Sequence, residues 1–114
     1  MFNRVLKWQL IFESKSELID YFGTRSTVLF KNTFGEIMLA REGDEFYAFE
    51  NKCPHQNKSL EGCSIDEGAI ICPWHKYAFS CETGRGHGLY LEKYPIKFEE
   101  NGVFIGKEVW SLFG

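Results

Sequence analysis

The chain has 114 residues, 44 % hydrophobic and 17 % aromatic with eleven Phe, and a formal net charge of -3. That is enough for one domain with a modest core, and it excludes a disordered tail. The two charge signs are interspersed, and no run of Lys or Arg offers the basic face that nucleic acid or an anionic membrane would need, so neither is an expected partner. The first twelve residues have Leu10-Ile11-Phe12 as their longest apolar run, too short for a secretory signal core, and no stretch has the length to span a bilayer. A soluble, cytoplasmic protein is expected.

In chain order, Trp8, Leu10 and Phe12 alternate with Gln9 and Ile11, which predicts a first strand with one buried face. Ser14-Lys15-Ser16-Glu17 is a capping box, and with Gly23 as a stop signal it predicts a helix of about two turns. Strands follow at Thr27–Phe30 and Glu36–Ala40 about a turn from Asn32 to Gly35. Gly43-Asp44 then makes a tight hairpin connection to Phe46–Phe49. Glu67-Gly68 marks a turn before the strand Ala69-Ile70-Ile71, Tyr77–Ser80 leads back out, and Thr83-Gly84-Arg85-Gly86 turns again. Residues 94–99 and 103–107 form a hairpin whose expected turn is Asn101-Gly102, after which Trp110, Leu112 and Phe113 are expected to close the base. These signals alone describe an antiparallel sandwich or barrel.

Between the strands lies the stretch that bears chemistry. Cys53-Pro54-His55 and Cys72-Pro73-Trp74-His75 give the pattern C-x-H-x16-C-x2-H, two matched Cys/His pairs on Pro-stiffened loops. Four such ligands can close a tetrahedral zinc site, but zinc modules commonly separate paired ligands by two to five residues. With one intervening residue, Cys53 and His55 bend poorly round one small ion yet can reach two irons of one cluster. A 2Fe-2S centre with two Cys on one iron and two His on the other takes one ligand for each iron from each loop. Thiolates stabilise ferric iron and neutral imidazoles donate less charge, so an added electron is expected on the iron held by His55 and His75.

Together with Leu60, Gly62, Phe79 and Thr83-Gly84-Arg85, these motifs resemble the small Rieske-type 2Fe-2S ferredoxins, including the ferredoxin components of ring-hydroxylating dioxygenases and the small subunit of nitrite reductase. The resemblance follows the whole chain in order and length, with its diagnostic letters in residues 53–85. It implies an all-β Rieske fold as a single domain over residues 1–114. An antiparallel base from residues 1–50 and 81–114 would surround a cluster-binding subdomain inserted at about 51–80. It implies one Rieske 2Fe-2S cluster on Cys53, His55, Cys72 and His75, with no catalysis by the chain alone. The implied role is a one-electron carrier from a flavin- and nicotinamide-dependent reductase to a terminal oxygenase or similar enzyme. A small subunit fixed to a nitrite-reductase-type complex is the alternative within redox chemistry, and a zinc-stabilised interaction module the alternative outside it.

Several positions depart from that pattern. High-potential members tie the two loops with a disulfide at the positions of Lys58 and Trp74, so that staple is absent, and Cys63 and Cys81 are expected as free thiols. The hydroxyl-bearing positions of those members fall on Tyr77 and Phe79, which predicts the lower-potential class. Asn57 replaces a usual Gly and is expected in a left-handed conformation. The third loop, residues 84–93, has Gly86, Gly88 and Leu89 where relatives place a Pro over the cluster, which predicts weaker shielding. Trp74 is expected to fill space, Gln56, Lys58 and Lys76 to flank the ligands, and His87 to be an exposed loop histidine rather than a ligand. A second, mononuclear iron on two His is excluded, because the chain has three His in all. No Rossmann strand and helix surround Gly84-x-Gly86-x-Gly88, so no nicotinamide or flavin site is expected.

Overall fold

A computed structural model describes residues 3–33, 35–74 and 76–111. Twelve strands and one helix follow in order: β1 (Asn3–Phe12), α1 (Lys15–Phe22), β2 (Thr27–Asn32), β3 (Gly35–Glu42), β4 (Glu45–Glu50), β5 (Ser64–Asp66) and β6 (Ala69–Ile71). Then come β7 (Ala78–Ser80), β8 (Arg85–Gly86), β9 (Leu89–Tyr90), β10 (Lys93–Tyr94), β11 (Ile96–Glu99) and β12 (Gly102–Ser111). The strands form sheets in the orders β1-β12-β11, β10-β4-β3-β2, β5-β6-β7 and β8-β9, and every pairing is antiparallel. The all-β class expected from the sequence is what the chain adopts.

The organising strand is β3. Ile37, Met38, Leu39 and Ala40 are successive residues with 1 % exposure or less, the mark of a strand covered on both faces. Because side chains alternate, Ile37 and Leu39 enter one core with Leu18, Phe22, Val28, Ala48, Val103 and Ile105. Met38 and Ala40 enter the other, with Phe49, Cys53, Leu60, Ile70, Cys72 and Phe79. The second core thus joins the central sheet to the loops that contain the Cys/His pairs.

The helix follows its caps. Ser14 is the N-cap, its hydroxyl accepting the Glu17 N–H at 3.1 Å, while the Glu17 carboxylate accepts the Glu13 N–H at 2.8 Å. Gly23 ends it at φ 61. The Gly43-Asp44 connection and the Glu67-Gly68 turn are also where the sequence puts them, between Glu42 and Glu45 and between Asp66 and Ala69.

Two expectations need correction. Trp8 and Leu10 are on the exposed side of β1, at 37 % and 45 %, because the register shifts between Leu10 and Phe12. This bulge turns both Ile11 and Phe12 toward the core, so alternation read across it assigns Trp8 and Leu10 to the wrong face. In the last hairpin Glu99 pairs with Gly102, so the turn residues are Glu100-Asn101. Gly102 serves close packing instead: a Cβ there would lie 2.7 Å from the Phe12 carbonyl oxygen. Leu112 and Phe113 lie outside the described residues, and Trp110 is placed opposite Arg4 in β12.

Candidate metal centre

The first loop leaves β4 and the second leaves β6, and the two are built alike. The Cys53 N–H donates to the Lys58 carbonyl at 2.7 Å, and the Cys72 N–H donates to the Tyr77 carbonyl at 2.8 Å. In each loop the fourth residue after the Cys has a left-handed backbone, Asn57 at φ 56 and Lys76 at φ 57. Asn57 is therefore in the conformation expected of it, since a short polar side chain tolerates this region better than most. Lys76 holds the same conformation without that help, a strain maintained by the surrounding loop.

These loops bring Cys53 and Cys72 together. Both residues are fully buried and their sulfurs are 3.0 Å apart, with neither in a disulfide. Burial pushes the Cys72 thiol up to about 11, and the adjacent Cys53 sulfur adds to the shift. A cation bound between the sulfurs would displace the thiol protons, so metal binding and deprotonation are coupled here. The Trp74 N–H donates to Cys72 Sγ at 3.4 Å; among the described residues no hydroxyl donates to either sulfur. Phe79, which has no hydroxyl to donate, is fully buried.

His55 is half-buried, with its ring 4.0 Å from that of Tyr77 between centroids. Among the described residues no three His, Cys, Asp or Glu side chains converge as ligands of one ion. Cys53 and Cys72 form a buried thiol pair, and His55 stands in the loop that begins at Cys53. His75 lies outside the described residues.

Trp74 does not fill interior space. It is 39 % exposed, its indole N–H donates to the Ser59 carbonyl at 3.1 Å, and Lys58 Nζ is 4.6 Å from its ring. Lys58 and Trp74 are the positions that a disulfide occupies in high-potential Rieske proteins, so here a cation–π contact joins the two loops instead. Cys63 and Cys81 are free and buried, and burial is the main cause raising each thiol to about 11. His87 is exposed as expected but is not isolated: its ring stacks on Tyr77 at 4.4 Å and its Nε2 accepts the Ala78 N–H at 3.2 Å. Sequence reasoning missed this contact because nothing in the spacing of Tyr77 and His87 announces it.

An antiparallel β scaffold that brings two Cys-Pro loops together on a buried thiol pair is a candidate metal centre. The Rieske [2Fe-2S] domain matches residues 8–93, and the chain belongs to that family. It is 38 % identical over 77 residues to the ferredoxin component of the alkene monooxygenase system of Xanthobacter autotrophicus, covering 64 % of this chain and 63 % of that protein. The match therefore spans less than two thirds of that relative. The ferredoxin of carbazole 1,9a-dioxygenase from Nocardioides aromaticivorans IC177 superposes with a TM-score of 0.64 at 25 % identity, over 76 % of this chain and 89 % of that one. A Mycobacterium tuberculosis structure described as an NADH-dependent nitrite reductase small subunit shares the fold, with a TM-score of 0.70 at 18 % identity over 90 % and 96 % of the two chains. The buried, unbridged thiol pair fits the 2Fe-2S cluster that defines the family.

Proposed function

We propose that this chain is a one-electron carrier in which Cys53 and Cys72 hold one iron of a Rieske cluster and His55 and His75 hold the other. The observation behind this reading is the pair of buried sulfurs 3.0 Å apart, each at the start of a loop that also contains a histidine. When bound, the cluster supplies reversible one-electron chemistry. The protein's part is to exclude water from the sulfur side with Phe49, Leu60, Ile70 and Phe79, and to direct the Trp74 N–H at Cys72. A backbone N–H stabilises negative charge on a thiolate more weakly than added hydroxyl donors would, which supports a lower-potential carrier.

The partners are a flavin- and nicotinamide-dependent reductase and a terminal oxygenase or similar enzyme, as the relatives' description as ferredoxin components supports. Segments 51–60 and 72–77 contain Lys52, Lys58 and Lys76, all exposed, and no acidic residue. A partner with an acidic surface suits them. The base is residues 1–50 and 81–114, with 51–80 as the cluster-binding subdomain. The setting is the cytoplasm, without nucleic acid or membrane; no helix among the described residues is long and apolar enough to cross a bilayer.

The exposed Leu6, Trp8 and Leu10 on β1 favour a second reading, in which the same carrier is fixed as a small subunit of a reductase complex. Gel filtration of cell extract separates the two, since a stable large assembly contradicts a free shuttle. Purified protein should contain about two irons and two acid-labile sulfides per chain. Zinc without sulfide would overturn the carrier and establish a zinc-stabilised interaction module.

A further inference from the structure

Three aromatic rings from different parts of the chain form one column. The His55 and Tyr77 centroids are 4.0 Å apart at 32°, and those of Tyr77 and His87 are 4.4 Å apart at 23°. His55 comes from the first loop, Tyr77 from the end of the second, and His87 from the connection between β8 and β9. Phe79 meets the His87 ring edge-on at 6.2 Å, closing one side of the column.

The placement of His87 is over-determined. His87 and Gly88 are the two residues of a tight hairpin, at φ 55 and 73, so a β-branched or bulky side chain is disfavoured there, and His is one of the few non-Gly residues that enter this region readily. The ring is also fixed by the Ala78 N–H, which donates to Nε2 at 3.2 Å from the residue next to Tyr77. That bond assigns the proton of the neutral imidazole to Nδ1. The hairpin approaches β7 so closely that a Cβ on Gly86 would lie 2.1 Å from the Ala78 carbonyl oxygen. Gly86 is therefore what lets the third loop come down onto Tyr77.

We propose that His87 is a positioning residue that acts through Tyr77 on His55. The stack fixes the plane in which the His55 imidazole is presented as a ligand. This rests on His55 being a cluster ligand, and nothing in the column requires His87 to bind metal. Strain at a non-Gly residue held by a specific hydrogen bond is the pattern found where a side chain has a task beyond the turn itself.

The test uses the cluster-containing protein and the variants His87→Asn, Tyr77→Leu and Tyr77→Phe. Asn is a favoured occupant of this turn position, so His87→Asn keeps the hairpin while removing the ring. His87→Asn should release the cluster to a chelator faster, on the order of three- to tenfold, the factor that loss of the Tyr77–His87 pair represents, and Tyr77→Leu, which loses both pairs, at least as fast. Both should also broaden the reduced-state electron paramagnetic resonance spectrum, because His55 then samples more than one orientation. Tyr77→Phe should restore the wild-type rate and line shape. Wild-type behaviour in His87→Asn, or release that quickens while the spectrum stays unchanged, overturns the proposal. A wild-type protein without a His-ligated signal overturns the assignment of His55 as well, and so is distinguishable from failure of the stack alone.

Discussion

At the scale of single residues, all four Cys are buried and in no disulfide, and Cys53 and Cys72 stand out because their sulfurs face each other at 3.0 Å. The sequence made that pair legible because each thiol begins a Cys-Pro loop with a histidine two or three residues on. It could not locate the third histidine: an exposed His87 in a glycine-rich turn reads as solvent-facing until the fold lays it on Tyr77. Burial raises Cys63 and Cys81 to about 11 from an ordinary value near 9, so the folded protein favours the neutral thiols. Their contribution is complete below the unfolded value and is lost as pH rises through the folded one, about 2 kcal/mol for each by pH 11. Urea unfolding followed between pH 8 and 11 should show this alkaline loss, and the Cys63→Ala/Cys81→Ala double variant should make it shallower, leaving the part that buried Tyr94, pushed up to about 12, contributes. An equal slope in that variant would assign the loss to other groups.

Among the elements, the two Cys/His loops are one design used twice: a Cys N–H closed onto the carbonyl five residues later, with a left-handed residue just before the closure. Pro and Asn made the first loop readable, while Lys76 gave no such hint because lysine has no turn signature. β1 shows the opposite failure, since the bulge between Leu10 and Phe12 reverses the strand face and leaves no mark in apolar alternation. The brace between the loops, Lys58 over Trp74 and the indole N–H on Ser59, is also a product of the fold rather than of local sequence. Trp74→Ala should cost about 1–2 kcal/mol from the lost cation–π contact and hydrogen bond. Trp74→Phe should recover part of it in the same urea titration. A Trp74→Ala protein as stable as wild type would mean that the backbone closures alone hold the loops.

For the molecule as a whole, the doubly covered β3 is what fixes the loops to the base, and its uninterrupted Ile37-Met38-Leu39-Ala40 run was the visible sign of it. Charge is divided as well: the three lysines of the ligand loops stand on a chain of net charge -3, so the remainder carries -6. Electron transfer to an acidic partner should therefore slow as salt rises, by about tenfold from low to physiological ionic strength, and Lys58→Glu or Lys76→Glu should mimic that effect. Rates that climb with salt would assign the partner the opposite polarity. The proposed carrier depends on one iron held by sulfur and the other by nitrogen. The electron paramagnetic resonance spectrum of the reduced wild-type protein measures this directly. It should show the lowered average g-value of a 2Fe-2S cluster with histidine on one iron; the spectrum of an all-cysteine cluster, or no cluster signal from iron-loaded protein, would contradict it.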